Sequence, residues 1–155
     1  PNDLKHFKNI NCYSLSSFNY TILGLFLIKY NSGLFYIDQF LPYFIIMQGP
    51  ISFISDSIYV DKYHWIHDLD ISLASYNSTL SIGVFFYTYN IWKLSNIYYI
   101  ILILGKICHN KSRYSFEKKK YKHYEIFHIL WHIIVPYNSM LMFYKINMQN
   151  KYIQT

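Results

Sequence analysis

Charged side chains are scarce in this sequence, where Asp, Glu, Lys and Arg together make up 14% of 155 residues. A soluble domain carries about a quarter of such residues. Hydrophobic residues make up 53% of the chain and aromatic residues 21%. The low charge argues against an ordinary soluble domain and favours an integral membrane protein, because a lipid bilayer solvates charges poorly.

Cysteine is also scarce, with only Cys12 and Cys108 in the whole sequence. Two cysteines this far apart lack the paired spacing of a cysteine metal site, and they are too few for a disulfide framework. They therefore do not indicate whether the protein belongs to an oxidising or a reducing compartment. The chain begins with Pro1 rather than Met, and we therefore expect a fragment or a processed form.

Acidic residues are fewer than basic ones, and the net charge is +6. Six of the fourteen cations lie in the stretch 111–122. No recognition motif for DNA or RNA accompanies them, so we expect no nucleic-acid partner. The cluster is typical of a cytoplasmic loop beside a membrane, where Lys and Arg accumulate.

The apolar segments predict an all-α fold: a polytopic transmembrane helix bundle with four to five membrane-spanning helices, formed by a single membrane domain over 1–155. About 20 apolar residues suffice to cross a bilayer. Gly49-Pro50 would kink one span without ending it, as bundled membrane helices tolerate. The predicted spans are 18–37, 40–60, 70–89, 91–108 and 124–144, with a polar flank 1–17, a basic loop 109–122 and a polar tail 145–155.

The last apolar segment contains two histidines, His128 and His132, four residues apart. On a helix they share one face, and two imidazoles at this spacing can bind one metal ion. The structural alternative is a pair of amphipathic side chains near a helix end. Ionisable groups within apolar sequence are expensive, which favours the metal-binding interpretation.

The predicted topology brings two aspartates to the same depth as these histidines. If all five segments cross, loops 61–69 and 109–122 lie on one side of the membrane. Asp56 then lies one turn inside the second span, Asp70 opens the third, and the histidines lie one to two turns inside the fifth. The distribution of Lys and Arg makes this face cytoplasmic.

These residues have the chemistry of a hydrolytic zinc site. His128, His132 and Asp56 are the candidate Zn²⁺ ligands, with an open position left for water. Asp70 is the candidate general base, although N-capping of the third span would also explain it. Ser52 and Ser55 are candidates for holding an oxyanion or orienting an aspartate.

Two short patches resemble the CREST superfamily of membrane hydrolases, which includes alkaline ceramidases and GPI-lipid-remodelling phospholipases. The run Phe127-His128-Ile-Leu-Trp131-His132-Ile133 is similar to the late Phe-His-x-x-Trp-His-Ile run of the ceramidases. Asp70-Ile-Ser-Leu-Ala74 resembles their Asp-x-x-x-Ala, and Gln48-Gly-Pro50-Ile-Ser52 is a weaker match to the phospholipases.

The resemblance implies a zinc-dependent hydrolase that cleaves an amide or ester bond of a membrane lipid in the endoplasmic reticulum or Golgi. At the family spacing from Asp70, the serine would be Ser55, and Tyr59 stands where the family has its first histidine. Asp56 is the better oxygen donor as third ligand, and His64 or His67 could also reach the site from the loop.

Three other functions fit parts of the pattern. A non-catalytic membrane protein, either a degenerate relative or an accessory subunit of a membrane complex, fits Tyr59 and the at most five predicted helices, where the CREST fold has seven. A di-iron desaturase needs about eight histidines, some of them in adjacent pairs. This chain has seven histidines and no His-His pair. A haem protein would need His128 to face His64 or His67 across two helices.

Overall fold

The computed structural model describes residues 7, 10–30, 36–60, 62, 64–92 and 96–153. These residues form helices joined by short turns, with no β-strand in the described ranges, so the prediction of an all-α fold is confirmed. One turn of π-helix, Ile54–Ile58, continues the third α-helix. The α-helices are α1 (Cys12–Ser16), α2 (Phe18–Lys29), α3 (Tyr36–Phe53), α4 (Trp65–Trp92), α5 (Ile97–Glu117) and α6 (Tyr121–Ile153).

The short helix α1 begins at a reciprocal cap. The Asn11 side chain accepts from the backbone N–H of Ser14, and the Ser14 hydroxyl lies 3.0 Å from the backbone nitrogen of Asn11. This capping box satisfies backbone donors that no helical carbonyl can reach. It starts a helix inside the segment 1–17, which the sequence analysis treated only as a polar flank.

Helices α2 and α3 approach closely because glycines lie between them. A Cβ added to Gly24 would lie 2.6 Å from the backbone oxygen of Pro42, and one added to Gly49 would overlap Thr21. Pro50 has no N–H to donate to the carbonyl of Ile46. The Thr21 hydroxyl donates to that carbonyl over 3.1 Å, so α2 supplies the hydrogen bond that α3 lacks.

Helices α5 and α6 form an antiparallel pair joined by a tight turn. Lys119 has a φ of 56°, and the N–H of Lys120 donates to the carbonyl of Ser115 over 2.8 Å. This is the left-handed ending that caps many helices. The predicted basic loop 109–122 is therefore wrong, since α5 continues to Glu117.

The reason lies in the spacing of small residues in that basic stretch. Ser112 and Ser115 are buried, while the cations Lys111, Arg113 and Lys118 are exposed. A helix can therefore bury its serine face and leave its lysines in solvent, a pattern that average hydropathy does not detect.

Other predicted boundaries also differ from the structure. The span 18–37 contains α2, whose 12 residues rise only about 18 Å, and residues 31–35 lie outside the described ranges. The span 91–108 corresponds to α5, which begins at Ile97. Most of the predicted tail 145–155 belongs to α6, which ends at Ile153. Asp70 does not cap α4, because that helix begins five residues earlier at Trp65.

The helices alternate in direction, so one end of the bundle collects side chains from distant parts of the chain. The start of α2, the end of α3, the start of α4, the end of α5 and the start of α6 meet there. Away from this end, α2, α3 and α6 pack in one apolar cluster: Leu23, Leu27, Leu41, Ile45, Met142, Phe143 and Ile146.

The bundle buries polar side chains and exposes apolar ones. Gln48, Ser52, Asn138 and His132 are each no more than 3% exposed. Among the described residues one helical stretch, Tyr121–Met148 in α6, is long and apolar enough to cross a membrane. Among the described residues, apolar side chains at least 40% exposed occur on every α-helix and include Ile22, Leu25, Phe40, Ile71, Ile103, Ile133 and Leu141.

Candidate metal centre

Three side chains at the shared end of the bundle form a group that could hold a metal ion. Asp56, His128 and His132 each bring one ligand atom, and these atoms lie within 4.8 Å of one another. The imidazole centroids of the two histidines are 4.2 Å apart, as their spacing on α6 requires. These are the three ligands that the sequence analysis selected.

The π-helical turn presents Asp56 to α6. Its defining bond runs from the N–H of Tyr59 to the carbonyl of Ile54 over 3.2 Å, one residue longer than the α-helical repeat. Such a turn changes the direction of the side chains within it, and π-turns are frequent at functional sites.

His128 lies between the carboxylate of Asp56 and a serine. Its Nε2 lies 2.9 Å from Asp56 Oδ2, and its Nδ1 lies 3.4 Å from Ser112 Oγ on α5. A carboxylate only accepts, so Nε2 carries the proton of this bond. A metal ion bound to both atoms would replace that proton, and Ser112 would then accept from Nδ1–H.

His132 is held by α1 in the tautomer that a metal ligand needs. The Ser16 hydroxyl donates its one hydrogen to the carbonyl of Tyr13 over 2.6 Å. Ser16 Oγ, which lies 3.1 Å from His132 Nδ1, must therefore accept from it. With its proton on Nδ1, the imidazole keeps the Nε2 lone pair free. Hydrogen bonds of this kind orient most metal-binding histidines.

Aromatic rings enclose the ligands on the side of the N-terminal segment. The Tyr13 and Tyr124 hydroxyls are hydrogen-bonded to each other, and both rings lie within 5.2 Å of the His128 ring. Burial raises the pKa of the Tyr13 phenol, and the nearby Asp56 carboxylate raises this pKa further. Tyr13 therefore remains a neutral hydrogen-bonding group beside the cluster. Phe7 and Phe116 pack against the same pair.

Asp70 lies beside the cluster without joining it. Gln48 Nε2 donates to Asp70 Oδ1, and Asn77 donates in turn to Gln48 Oε1 over 3.4 Å. The Ser52 hydroxyl donates to Asp56 Oδ2 over 3.3 Å, and Ser52 also lies close to Asp70. Ser52 thus lies between the two aspartates and orients Asp56, one of the two roles predicted for it.

Ser55, His64 and His67 lie outside this group, and His67 belongs to the first turn of α4 rather than to a loop. Ser55 Oγ is 2.7 Å from His67 Nδ1. The His64 ring stacks on Tyr59 with centroids 3.8 Å apart. Neither His64 nor His67 belongs to the ligand group found among the described residues.

Ser16, Ser112 and Tyr13 were not among the predicted site residues. Ser16 and Tyr13 belong to a short helix whose one sequence signal is the Asn11 cap. Ser112 lies in the basic stretch taken for a loop. A single serine carries no positional signal of its own, so these partners emerge only when the helices pack.

The chain was compared with protein-family models, with curated proteins and with solved structures, and no match was found in any of the three comparisons.

The donor set limits the chemistry of the centre. Two imidazole nitrogens and one carboxylate oxygen suit Zn²⁺ and related transition metals better than Ca²⁺ or Mg²⁺, which prefer oxygen ligands. Three protein ligands also leave one position of a tetrahedral site open, as in catalytic rather than structural zinc sites.

Proposed function

We propose that the chain is an integral membrane protein whose Asp56–His128–His132 cluster binds Zn²⁺ and hydrolyses an amide or ester bond of a membrane lipid. The observation that carries the proposal is the cluster itself. Asp56 lies 72 positions before His128 in the chain, and the two histidines lie one helical turn apart. All three side chains converge at one end of a bundle with an apolar exterior.

The exterior of the bundle supports a membrane location. A soluble helix bundle buries its large apolar side chains, whereas this one exposes them on α2, α3, α5 and α6. The apolar stretch of α6 is long enough to cross a bilayer. On this proposal several helices cross the membrane and the lipid bilayer covers their exposed faces, so the substrate reaches the site from the bilayer.

The hydrogen-bond partners of the histidines support a metal. A hydrogen bond to Ser16 leaves His132 Nε2 free to bind, and Ser112 lies at Nδ1 of His128. Both serines are nearly fully buried, so the hydrogen bonds are shielded from water. Zinc bound by these three ligands would supply a water of lowered pKa and would polarise a carbonyl group.

Asp70 and Ser52 support hydrolysis. Asp70 is held by Gln48 and lies one hydroxyl group away from Asp56 through Ser52. A carboxylate in this position suits a general base, which takes a proton from the attacking water and passes it to the leaving group. Gln48 fixes one oxygen of Asp70, Oδ1, and leaves the other available to take a proton.

The resemblance to the CREST superfamily supports the same reaction class. Its two patches supply His128, His132 and Asp70, which the bundle brings to the same end. Tyr59, at the family's histidine position, stacks on His64 outside the cluster, and Asp56 takes the position of third ligand instead. This resemblance implies that the substrate is a ceramide-like amide or a phospholipid ester and that the protein acts in the endoplasmic reticulum or Golgi.

The metal content of detergent-purified protein tests the proposal. We expect about one zinc per chain in the parent, as for a site with three protein ligands. A His128→Ala/His132→Ala double variant should retain none. His123→Ala is the matched control, because His123 is exposed on the same helix. Well-folded parent protein without zinc would refute the proposed function.

A second candidate function is a non-catalytic membrane protein with a structural metal site, or an accessory subunit of a membrane complex. The observation that favours it is the closure of the centre: Asp56 and His128 are 14% exposed, and His132 is 3% exposed. Zinc-loaded protein that cleaves neither a ceramide amide nor a phospholipid ester would support this candidate. An Asp70→Asn variant that loses hydrolysis but keeps zinc would support the hydrolase.

A further inference from the structure

His67, which lies in the first turn of α4, makes three hydrogen bonds to the segment that carries Asp56. Its Nδ1 lies 2.7 Å from Ser55 Oγ. Its Nε2 lies 3.0 Å from the carbonyl oxygen of Tyr59 and 3.1 Å from that of Lys62. One imidazole therefore contacts three places: Ser55 within the π-turn, Tyr59 at the end of that turn, and Lys62 in the linker to α4.

The chemistry of these partners fixes the tautomer of His67. Carbonyl oxygens only accept, so the proton lies on Nε2. Nδ1 then has a free lone pair and accepts from the Ser55 hydroxyl, which is 1% exposed. All three bonds are satisfied at once in the neutral imidazole. His67 therefore has no nitrogen left for a metal ion.

We infer that His67 is a positioning residue that fastens the π-turn and so holds Asp56 at the distance from His128 that a metal ion needs. The inference rests on the proposed metal site. It also explains why an irregular turn persists here. A π-turn is less favourable than continued α-helix and requires contacts from outside the turn. The carbonyls of Tyr59 and Lys62 lie past the end of the turn. The Tyr59 carbonyl accepts from the N–H of Lys62 over 3.0 Å, and His67 supplies a further donor to both carbonyls.

The position of Ser55 strengthens the argument. Ser55 and Asp56 are adjacent in the same turn, so a bond that fixes the Ser55 side chain also limits rotation of the turn about its axis. Asp56 contacts His128 across 2.9 Å, and a rotation of the turn would move its carboxylate directly out of that contact. Outer partners of metal ligands typically change metal affinity by about 10- to 100-fold when removed.

The test compares His67→Ala, His67→Gln and Ser55→Ala with the parent, and uses His123→Ala as the control. Zinc affinity is measured by competition with a chromophoric chelator, and the coordination of Co²⁺ by its visible absorption. Hydrogen exchange of the backbone amides in 54–60 is measured on metal-free protein. Circular dichroism confirms that each variant keeps its helices.

We expect His67→Ala to weaken zinc binding about tenfold, the lower end of the range for outer partners, and to speed exchange in 54–60. His67→Gln should recover part of both properties, because its amide N–H can donate to the same two carbonyls. Its Co²⁺ spectrum should resemble that of the parent more closely than the spectrum of the alanine variant does.

The outcomes separate this inference from the proposed function. Parent protein that binds no zinc removes the metal site. In that case faster exchange in 54–60 of His67→Ala would still support the fastening of the turn. Parent protein that binds zinc, together with a His67→Ala variant of equal affinity and unchanged exchange, would overturn the inference. Loss of affinity in His123→Ala would also count against it.

Discussion

Replacement of Ser16 by alanine should weaken metal binding although Ser16 is no ligand. Its hydroxyl accepts from His132 Nδ1 over 3.1 Å and donates to the carbonyl of Tyr13. Without that acceptor, no hydrogen bond to Ser16 stabilises the tautomer that has its proton on Nδ1. The proton can then occupy Nε2, which is the nitrogen that must bind the metal.

The magnitude follows from burial and from a neighbouring serine. His132 is 3% exposed, so water cannot replace the lost acceptor, and a buried donor left unpaired costs about 1–3 kcal/mol. Ser17 Oγ lies 3.4 Å from the same nitrogen and recovers part of that energy. We therefore expect Ser16→Ala to reduce zinc affinity about tenfold, and Ser16→Ala/Ser17→Ala about 100-fold, where about 1.4 kcal/mol corresponds to a factor of ten.

Zinc affinity by chelator competition is the assay, and nitrogen chemical shifts of His132 report its tautomer directly. Ser139→Ala is the matched control: Ser139 is also a buried serine, but it donates to the carbonyl of Val135 in its own helix. The reasoning is refuted if the double serine variant binds zinc as tightly as the parent, or if its His132 proton remains on Nδ1.

Three further predictions concern stability and are measured by thermal unfolding in detergent. Gly24→Ala should destabilise by about 1–3 kcal/mol, because its Cβ would press on Ile46 and Pro42, whereas Gly83→Ala should not, since nothing lies within 4 Å. Thr21→Val should cost about 1–3 kcal/mol, because it leaves the Ile46 carbonyl unpaired; an unchanged midpoint would argue against that bond. Lys119→Gly should stabilise by about 0.5–1 kcal/mol through relief of the positive φ, and any loss of stability would contradict this.

The convergence of Asp56, His128 and His132, the group that could hold a metal ion, could be predicted from the sequence because each residue has a local signal. His128 and His132 have helical spacing within apolar sequence, and Asp56 lies near the end of an apolar segment. Alternating helix directions then bring the aspartate to the histidines, and this requires only a count of segments.

The supporting contacts could not be predicted because they depend on geometry between helices. Ser16 and Ser112 acquire their roles from α1 and α5 packing on α6. Ser55 was a candidate for holding an oxyanion or orienting an aspartate, but its hydroxyl bonds to His67, since the π-turn rotates the side chains within it. The helix in the basic stretch, which buries a face of serines, is also not detected when hydropathy is averaged over a window.

The hydrogen bond from Thr21 to the carbonyl of Ile46 has a consequence for how the chain assembles. On the proposal that α3 lies in a bilayer, Pro50 leaves the carbonyl of Ile46 without a hydrogen-bond donor in its own helix. That acceptor is satisfied only after α2 has docked. The two helices are therefore expected to insert and mature as a pair, so that α2 completes α3 before the remaining helices close around them.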